Sequence, residues 1–140
     1  MTILAAEADV QPAVRYVVGE KGTRPWGAWE VLATGRGYIL KRIMVLPGQR
    51  LSLQYHHHRA EQWTMVEGSA EVEIDGAVRA VAAGEHVYIP LGATHRIRNV
   101  GVEPLVFIEV QVGDVLDEDD IVRLEDDYGR HPAAMSAASA

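Results

Sequence analysis

The stretch "GQRLSLQYHHHRAEQWTMVEG", Gly48–Gly68, carries three consecutive histidines inside a run that otherwise reads as a strand. Successive side chains on a strand point to opposite faces, so Gln54, His56 and His58 share one face and His57 points away. A lone histidine in a strand is ordinarily a surface or hydrogen-bonded residue, and His57, His86 and His131 are read that way. His56 differs, because Gln54 stands two residues before it and Glu61 five residues after it. Imidazole, carboxylate and amide oxygen together suit a borderline divalent ion such as Zn²⁺, with Mn, Fe, Co or Ni as alternatives. A calcium-type all-oxygen cage fits poorly.

Outward from this stretch the chain is a series of short strand candidates: "WEVLA", "YILKRIMVL", "QWTMVE", "AEVEID", "HVYIP", "HRIRNV" and "LVFIEVQV". Turn signals at "PGQ", "EGS", "DGA", "AAGE", "PLGA" and "VGVEP" separate them. Many short strands with regular turns indicate an antiparallel sandwich or barrel. A short helical segment is expected only at "DEDDIVRLEDDYG", where Asp and Glu would cap its start. The division is an N-terminal arm over 1–23, one domain over 24–130 with an acidic C-terminal segment, and a disordered tail over 131–140.

The composition, with 48% hydrophobic and 24% charged residues in 140, is that of one globular domain with a single core. The absence of cysteine excludes disulfides and thiolate metal sites. No apolar run is long enough for a membrane span and no secretory leader is visible, so a cytoplasmic protein is expected. The net charge of −7 is unevenly spread. From Asp114 onward eight acidic residues face only Arg123 and Arg130, a balance of −6, which leaves −1 on the preceding 113 residues. An anionic small molecule is therefore compatible with the main domain. Nucleic acid is not an expected partner, because no basic stripe exists.

A second stretch, "GEHVYIPLGATHRIRN" (Gly84–Asn99), resembles the second motif of the cupin family at every fixed position: Gly84, Pro90, Gly92, His95 and Asn99. The first cupin motif then falls on Gly48, Gln54, His56, Glu61 and Gly68, with Gln54 in place of the first histidine. Pairing His56 with His58 instead distorts two intervals, so the register that fits all of them is preferred. The resemblance implies an all-β double-stranded β-helix, or jelly-roll barrel. It also implies one divalent metal ion, zinc foremost, held by Gln54, His56, Glu61 and His95.

"RPWGAWEVL", "YIPLGATHRIRNVG" and "EDDIVRLEDDYGR" resemble, more narrowly, the C-terminal isomerase domain of type II phosphomannose isomerases. That resemblance runs from about Arg24 to Arg130. Gln62 departs from it, standing where the subfamily commonly has histidine. The guanylyltransferase domain that usually precedes it is not seen, and a stand-alone isomerase domain is expected. The implied reaction is interconversion of mannose 6-phosphate and fructose 6-phosphate through an enediolate, in which a metal, a base and phosphate-binding cations take part. His58 is the first choice for the base, with Lys41 and Glu67 as alternatives. Arg59 and Arg96 are the first choices for the phosphate, followed by Lys41, Arg42 and Arg50. The subfamily further implies a homodimer. The rival readings are another metal-dependent cupin enzyme, such as a dioxygenase or a different sugar isomerase, and a non-catalytic sugar-binding module.

Overall fold

The structure, a computed structural model, describes residues 13–14 and 16–130. The expected tail and the first twelve residues of the expected arm lie outside the described residues. Among the described residues thirteen strands run in chain order: β1 (Ala13–Val14), β2 (Lys21–Arg24), β3 (Gly27–Gly35), β4 (Tyr38–Val45), β5 (Leu53–Tyr55), β6 (Arg59–Glu67) and β7 (Ser69–Ile74). They continue with β8 (Ala77–Ala82), β9 (His86–Ile89), β10 (His95–Asn99), β11 (Leu105–Gly113), β12 (Val115–Leu116) and β13 (Val122–Glu125). Six of them form one sheet in the order β2-β3-β4-β11-β6-β9, and five form the other, β13-β5-β10-β7-β8. β1 pairs in parallel with β12. The two sheets enclose the core as the expected all-β jelly roll. No helix among the described residues is long and apolar enough to cross a membrane.

The strands follow from alternation. On β11 the buried Leu105, Phe107, Glu109 and Gln111 take every second position, as Arg59, Glu61, Trp63 and Met65 do on β6. Register stacks these into rungs: Leu105 with Val45, Phe107 with Ile43 and Met65, Glu109 with Lys41 and Trp63, and Gln111 with Ile39 and Glu61. The interior is apolar at one end of the rungs and polar at the other. Glycines at the fixed positions of the two spaced segments, Gly48, Gly68, Gly84 and Gly92, all have positive φ, which explains why those positions call for glycine.

Three expectations are corrected. The C-terminal segment forms no helix: Asp117–Ile121 is a turn, and β13 follows it as an edge strand on β5. The open edge of β5 offers backbone partners, and of the carboxylates expected to cap a helix Glu118 binds Arg24 while Asp120 accepts from the His57 and His58 N–H groups. The arm boundary at residue 23 falls inside β2, which pairs with β3. Tyr16, also within that arm, packs its ring into the core against Trp29. Finally, β5 ends at Tyr55 and the chain bends through His57 and His58, so strand alternation stops before the histidine run does.

Candidate metal centre

β5 points Gln54 inward, directly opposite His95 on β10. His56 continues inward and is 2% exposed, whereas His57 and His58 turn out to the surface. The bend is held from sixty residues away. The Asp120 carboxylate accepts N–H bonds from His57 (2.9 Å) and His58 (3.0 Å), and the Asp120 carbonyl accepts one from His56 Nδ1 at 2.6 Å. Gly113 lies against the same bend, where a Cβ would collide with the His58 carbonyl oxygen. β6 then carries Arg59 and Glu61 back inward.

His56, Glu61 and His95 converge so that one ligand atom from each lies within 4.8 Å of the others. Glu61 Oε2 is 3.0 Å from His56 Nε2 and accepts from Arg59 Nε at 2.8 Å. Glu61 Oε1 accepts from Trp63 Nε1 at 3.0 Å and lies 3.9 Å from His95 Nε2. His95 Nδ1 donates to the Ala93 carbonyl at 2.9 Å. A carbonyl can only accept, so both imidazoles carry their proton on Nδ1 and turn the Nε2 lone pair inward, the arrangement of metal-ligating histidines. His95 Nε2 is buried and has no hydrogen-bond partner among the described residues. The donor set and this orphaned nitrogen fit a divalent ion such as Zn²⁺.

Electrostatics agree with a pre-ionised ligand set. Burial alone would raise the Glu61 carboxyl, but the Arg59 guanidinium overcomes it and holds the group well below the usual carboxylate range. Burial pushes His95 down, favouring the neutral imidazole that a metal needs. Burial, with Glu61 close by, raises Glu109. Lys41 is lowered by burial, its ammonium sitting 4.1 Å from the Tyr16 ring centre and 4.4 Å from that of Trp29.

Glu61, Arg59, Lys41 and Glu109 line an open-mouthed cavity that also takes in Gln54, Gln111, Tyr16, Arg24, Glu118, Arg123 and Arg130, with His56 and His95 beside Glu61 but outside its lining. Its wall holds five cationic side chains (Arg24, Lys41, Arg59, Arg123, Arg130) against three carboxylates (Glu61, Glu109, Glu118), a formal +2 in a chain of −7. Gln54 borders this cavity, with its Oε1 accepting from Ser52 Oγ at 3.3 Å.

The other expected site residues are placed as follows. His58 is corrected: its side chain is 46% exposed and pairs with Asp114 at the surface, because the Asp120 clamp breaks the alternation that would have turned it inward. Lys41 and Arg59 are in the cavity. Arg96, Arg50 and Arg42 do not line it. Arg96 donates to the Leu51 carbonyl and Glu125, Arg50 binds Asp127 through both nitrogens, and Arg42 is exposed on the outer face of β4. Glu67 is exposed at the far end of β6. Gln62 faces outward on β6, away from the ligands, so the departure at that position leaves the metal centre untouched.

Sequence reasoning missed Glu109 and Gln111, although "LVFIEVQV" places them in phase with the buried Leu105 and Phe107. It also missed Arg24, Asp120, Arg123 and Arg130, which no local pattern marks.

Comparison with known proteins gives a consistent picture. Residues 14–126 match the family described as mannose-6-phosphate isomerase C-terminal. The chain is 53% identical over 107 residues to mannose-1-phosphate guanylyltransferase ManC of Salmonella typhimurium, covering 76% of this chain and 22% of that protein. It is 54% identical to xanthan biosynthesis protein XanB of Xanthomonas campestris, covering 76% and 23%. The chain thus spans about a fifth of the length of these curated relatives. Among solved structures, the oxalate decarboxylase of Lactobacillus farciminis superposes with a TM-score of 0.65 at 23% identity, covering 75% of this chain and 33% of that one. Capsular polysaccharide assembling protein CapF of Staphylococcus aureus does so with a TM-score of 0.63 at 24% identity, covering 76% and 34%. Both show the fold. The relatives overturn the expected interconversion of mannose 6-phosphate and fructose 6-phosphate: at about half identity over this domain they are named guanylyltransferases of mannose 1-phosphate. On the match over 14–126 and the cupin-type barrel that carries it, the chain belongs to the mannose-6-phosphate isomerase C-terminal family.

Proposed function

We propose that this chain is a divalent-metal-binding cupin domain that binds a phosphorylated hexose of the mannose 1-phosphate kind. The observation that carries the reading is the company kept by His56, Glu61 and His95. Glu61 carries the cluster to the wall of a cationic cavity in which buried polar atoms, Tyr16 Oη, Gln111 Oε1 and Arg123 Nε, have no hydrogen-bond partner among the described residues. Buried polar groups are nearly always satisfied, so a cluster of orphans in one cavity marks a place for ligand oxygens. The names of the curated relatives support the sugar phosphate.

His56, Glu61 and His95 would hold the ion, with zinc, Mn, Fe, Co or Ni as candidates and Gln54 close to it. When bound, such an ion polarises a sugar oxygen. The protein's own part is binding and orientation. Trp29 and Trp63 supply apolar wall, Glu109 and Gln111 supply hydroxyl partners, and the +2 wall attracts the phosphate.

The test is metal analysis followed by calorimetric titration with mannose 1-phosphate. Wild-type protein is expected to retain about one ion per chain and to bind the sugar phosphate. A His56→Ala, His95→Ala double variant is expected to lose the ion. Equal metal content in the two proteins, or no binding of mannose 1-phosphate by the metal-loaded wild type, overturns the reading.

A further inference from the structure

Of the five cations of the cavity, two are already committed in its interior. Arg59 gives Nε to Glu61, Nη1 to the Asp117 carbonyl and sits 3.3 Å from His56 Nε2, so it belongs to the floor of the metal centre. Lys41 lies between two aromatic rings. That leaves Arg24 at the end of β2, Arg123 on β13 and Arg130 just beyond it, all lining the cavity.

Arg123 is the pivot. In the five-stranded sheet it stands directly opposite Gln54, which stands opposite His95. Directly paired residues project to the same side of a sheet, so Arg123, Gln54 and His95 form one inward row, of which Arg123 and Gln54 line the cavity and His95 joins Glu61 behind it. Two strand spacings, roughly 10 Å, separate its ends, which leaves room for a hexose ring between them. The Arg123 guanidinium makes no side-chain hydrogen bond among the described residues, and its Nε is buried and orphaned. Arg24 and Arg130 are close enough to repel it. Arg24 is tied to Glu118 and Arg130 to Asp126, which offsets only part of that repulsion. Like charges gathered at a cavity mouth are stabilised by an anion arriving between them, and guanidinium forks match phosphate oxygens.

We infer that Arg24, Arg123 and Arg130 form the phosphate subsite of this cavity, with Arg123 as the central contact and the sugar lying between it and the histidine-glutamate cluster. The inference rests on the sugar-phosphate reading and adds the location of the phosphate. It places that group on the C-terminal segment rather than on Arg59, Arg96, Arg50 or Arg42.

The experiment titrates metal-loaded protein with mannose 1-phosphate, mannose and inorganic phosphate, with metal content as the check on folding. Wild type is expected to bind mannose 1-phosphate at least tenfold more tightly than mannose. Arg123→Gln is expected to weaken mannose 1-phosphate about tenfold or more while keeping its metal and its affinity for mannose. Arg130→Gln is expected to weaken it severalfold, which keeps the test alive if the change on β13 disturbs folding. Glu118→Gln removes a competing carboxylate from Arg24 and is expected to tighten binding. If Arg123→Gln and Arg130→Gln both bind mannose 1-phosphate as wild type does, or if Glu118→Gln weakens it, the subsite is wrong. If wild type binds neither sugar but binds inorganic phosphate, and Arg123→Gln does not, the subsite stands and the mannose reading falls. If wild type binds neither sugar nor inorganic phosphate, both fall.

Discussion

The same strands build two unlike halves of one interior. At one end β4, β6 and β11 turn Val45, Ile43, Met65, Leu105 and Phe107 inward, and β7 and β10 add Val72 and Ile97. Two rungs further along, the same strands turn in Lys41, Glu61, Arg59, Glu109 and Gln111. The polar residue at the dry end, Asn99, is fully occupied: Nδ2 donates to the Val45 and Glu103 carbonyls and Oδ1 accepts from the Gly101 N–H. At the wet end Tyr16, His95, Gln111 and Arg123 each keep an orphaned polar atom. His95 and Gln111 are buried as deeply as Asn99, yet satisfaction differs. A site announces itself by unmet hydrogen-bonding demand in a place where the fold could have met it.

The largest expected effect falls on the dry end. Phe107 is fully buried against Trp63, with ring centres 5.2 Å apart, and Phe107→Ala is expected to cost about 3–5 kcal/mol in urea unfolding. The folded fraction should still hold its ion. A variant that loses metal stoichiometry along with stability would show that the two ends are not separable.

Next in size is Asp120→Ala, which strips the acceptor from two backbone N–H groups and loosens the carbonyl that orients His56. The expected loss is about 1–3 kcal/mol, together with roughly tenfold or more in zinc affinity, read by competition with a chelating dye. Unchanged zinc affinity would mean that the clamp serves only the backbone.

A pH series probes the contrast more gently. The Arg50 hydrogen bond holds Asp127 below the usual carboxylate range; Asp126 is depressed too, its bonds to Arg130 outweighing burial. A depressed folded-state value means that these groups stabilise the docked segment above the ordinary carboxylate pKa. That contribution is lost as pH falls through the depressed values. Pulsed hydrogen exchange is expected to show residues 114–130 opening in acid before the β4-β11-β6 core does. Simultaneous opening would contradict this. The smallest effect is expected of Arg50→Ala, whose exposed ion pair contributes under about 1 kcal/mol.

How much of this was legible depended on whether a residue's neighbours were near in sequence. Fixed intervals between glycines, histidines and Glu61 gave the barrel, since each glycine sits at a turn whose φ is positive. Those intervals also named the three residues that the structure brings together. His58 was misplaced because alternation assumes an unbroken strand, and the break is imposed by Asp120. The helix at 117–129 was expected from acidic residues that resemble caps. Of those, Glu118 instead reaches Arg24 and Asp120 the His57 and His58 N–H groups, while Glu125 and Asp127 further along reach Arg96 and Arg50. Arg123 and Arg130 then come to the cavity only because that segment docks, which no local pattern encodes.

Asp120 lets one residue serve two masters, and thermodynamic reciprocity follows. Its carbonyl orients a candidate ligand while its carboxylate ties the C-terminal segment to the histidine bend. Any ion that favours the oriented His56 must favour the docked segment by the same factor by which docking favours the ion. Occupancy at the floor of the barrel and closure at its mouth are then two readings of a single equilibrium.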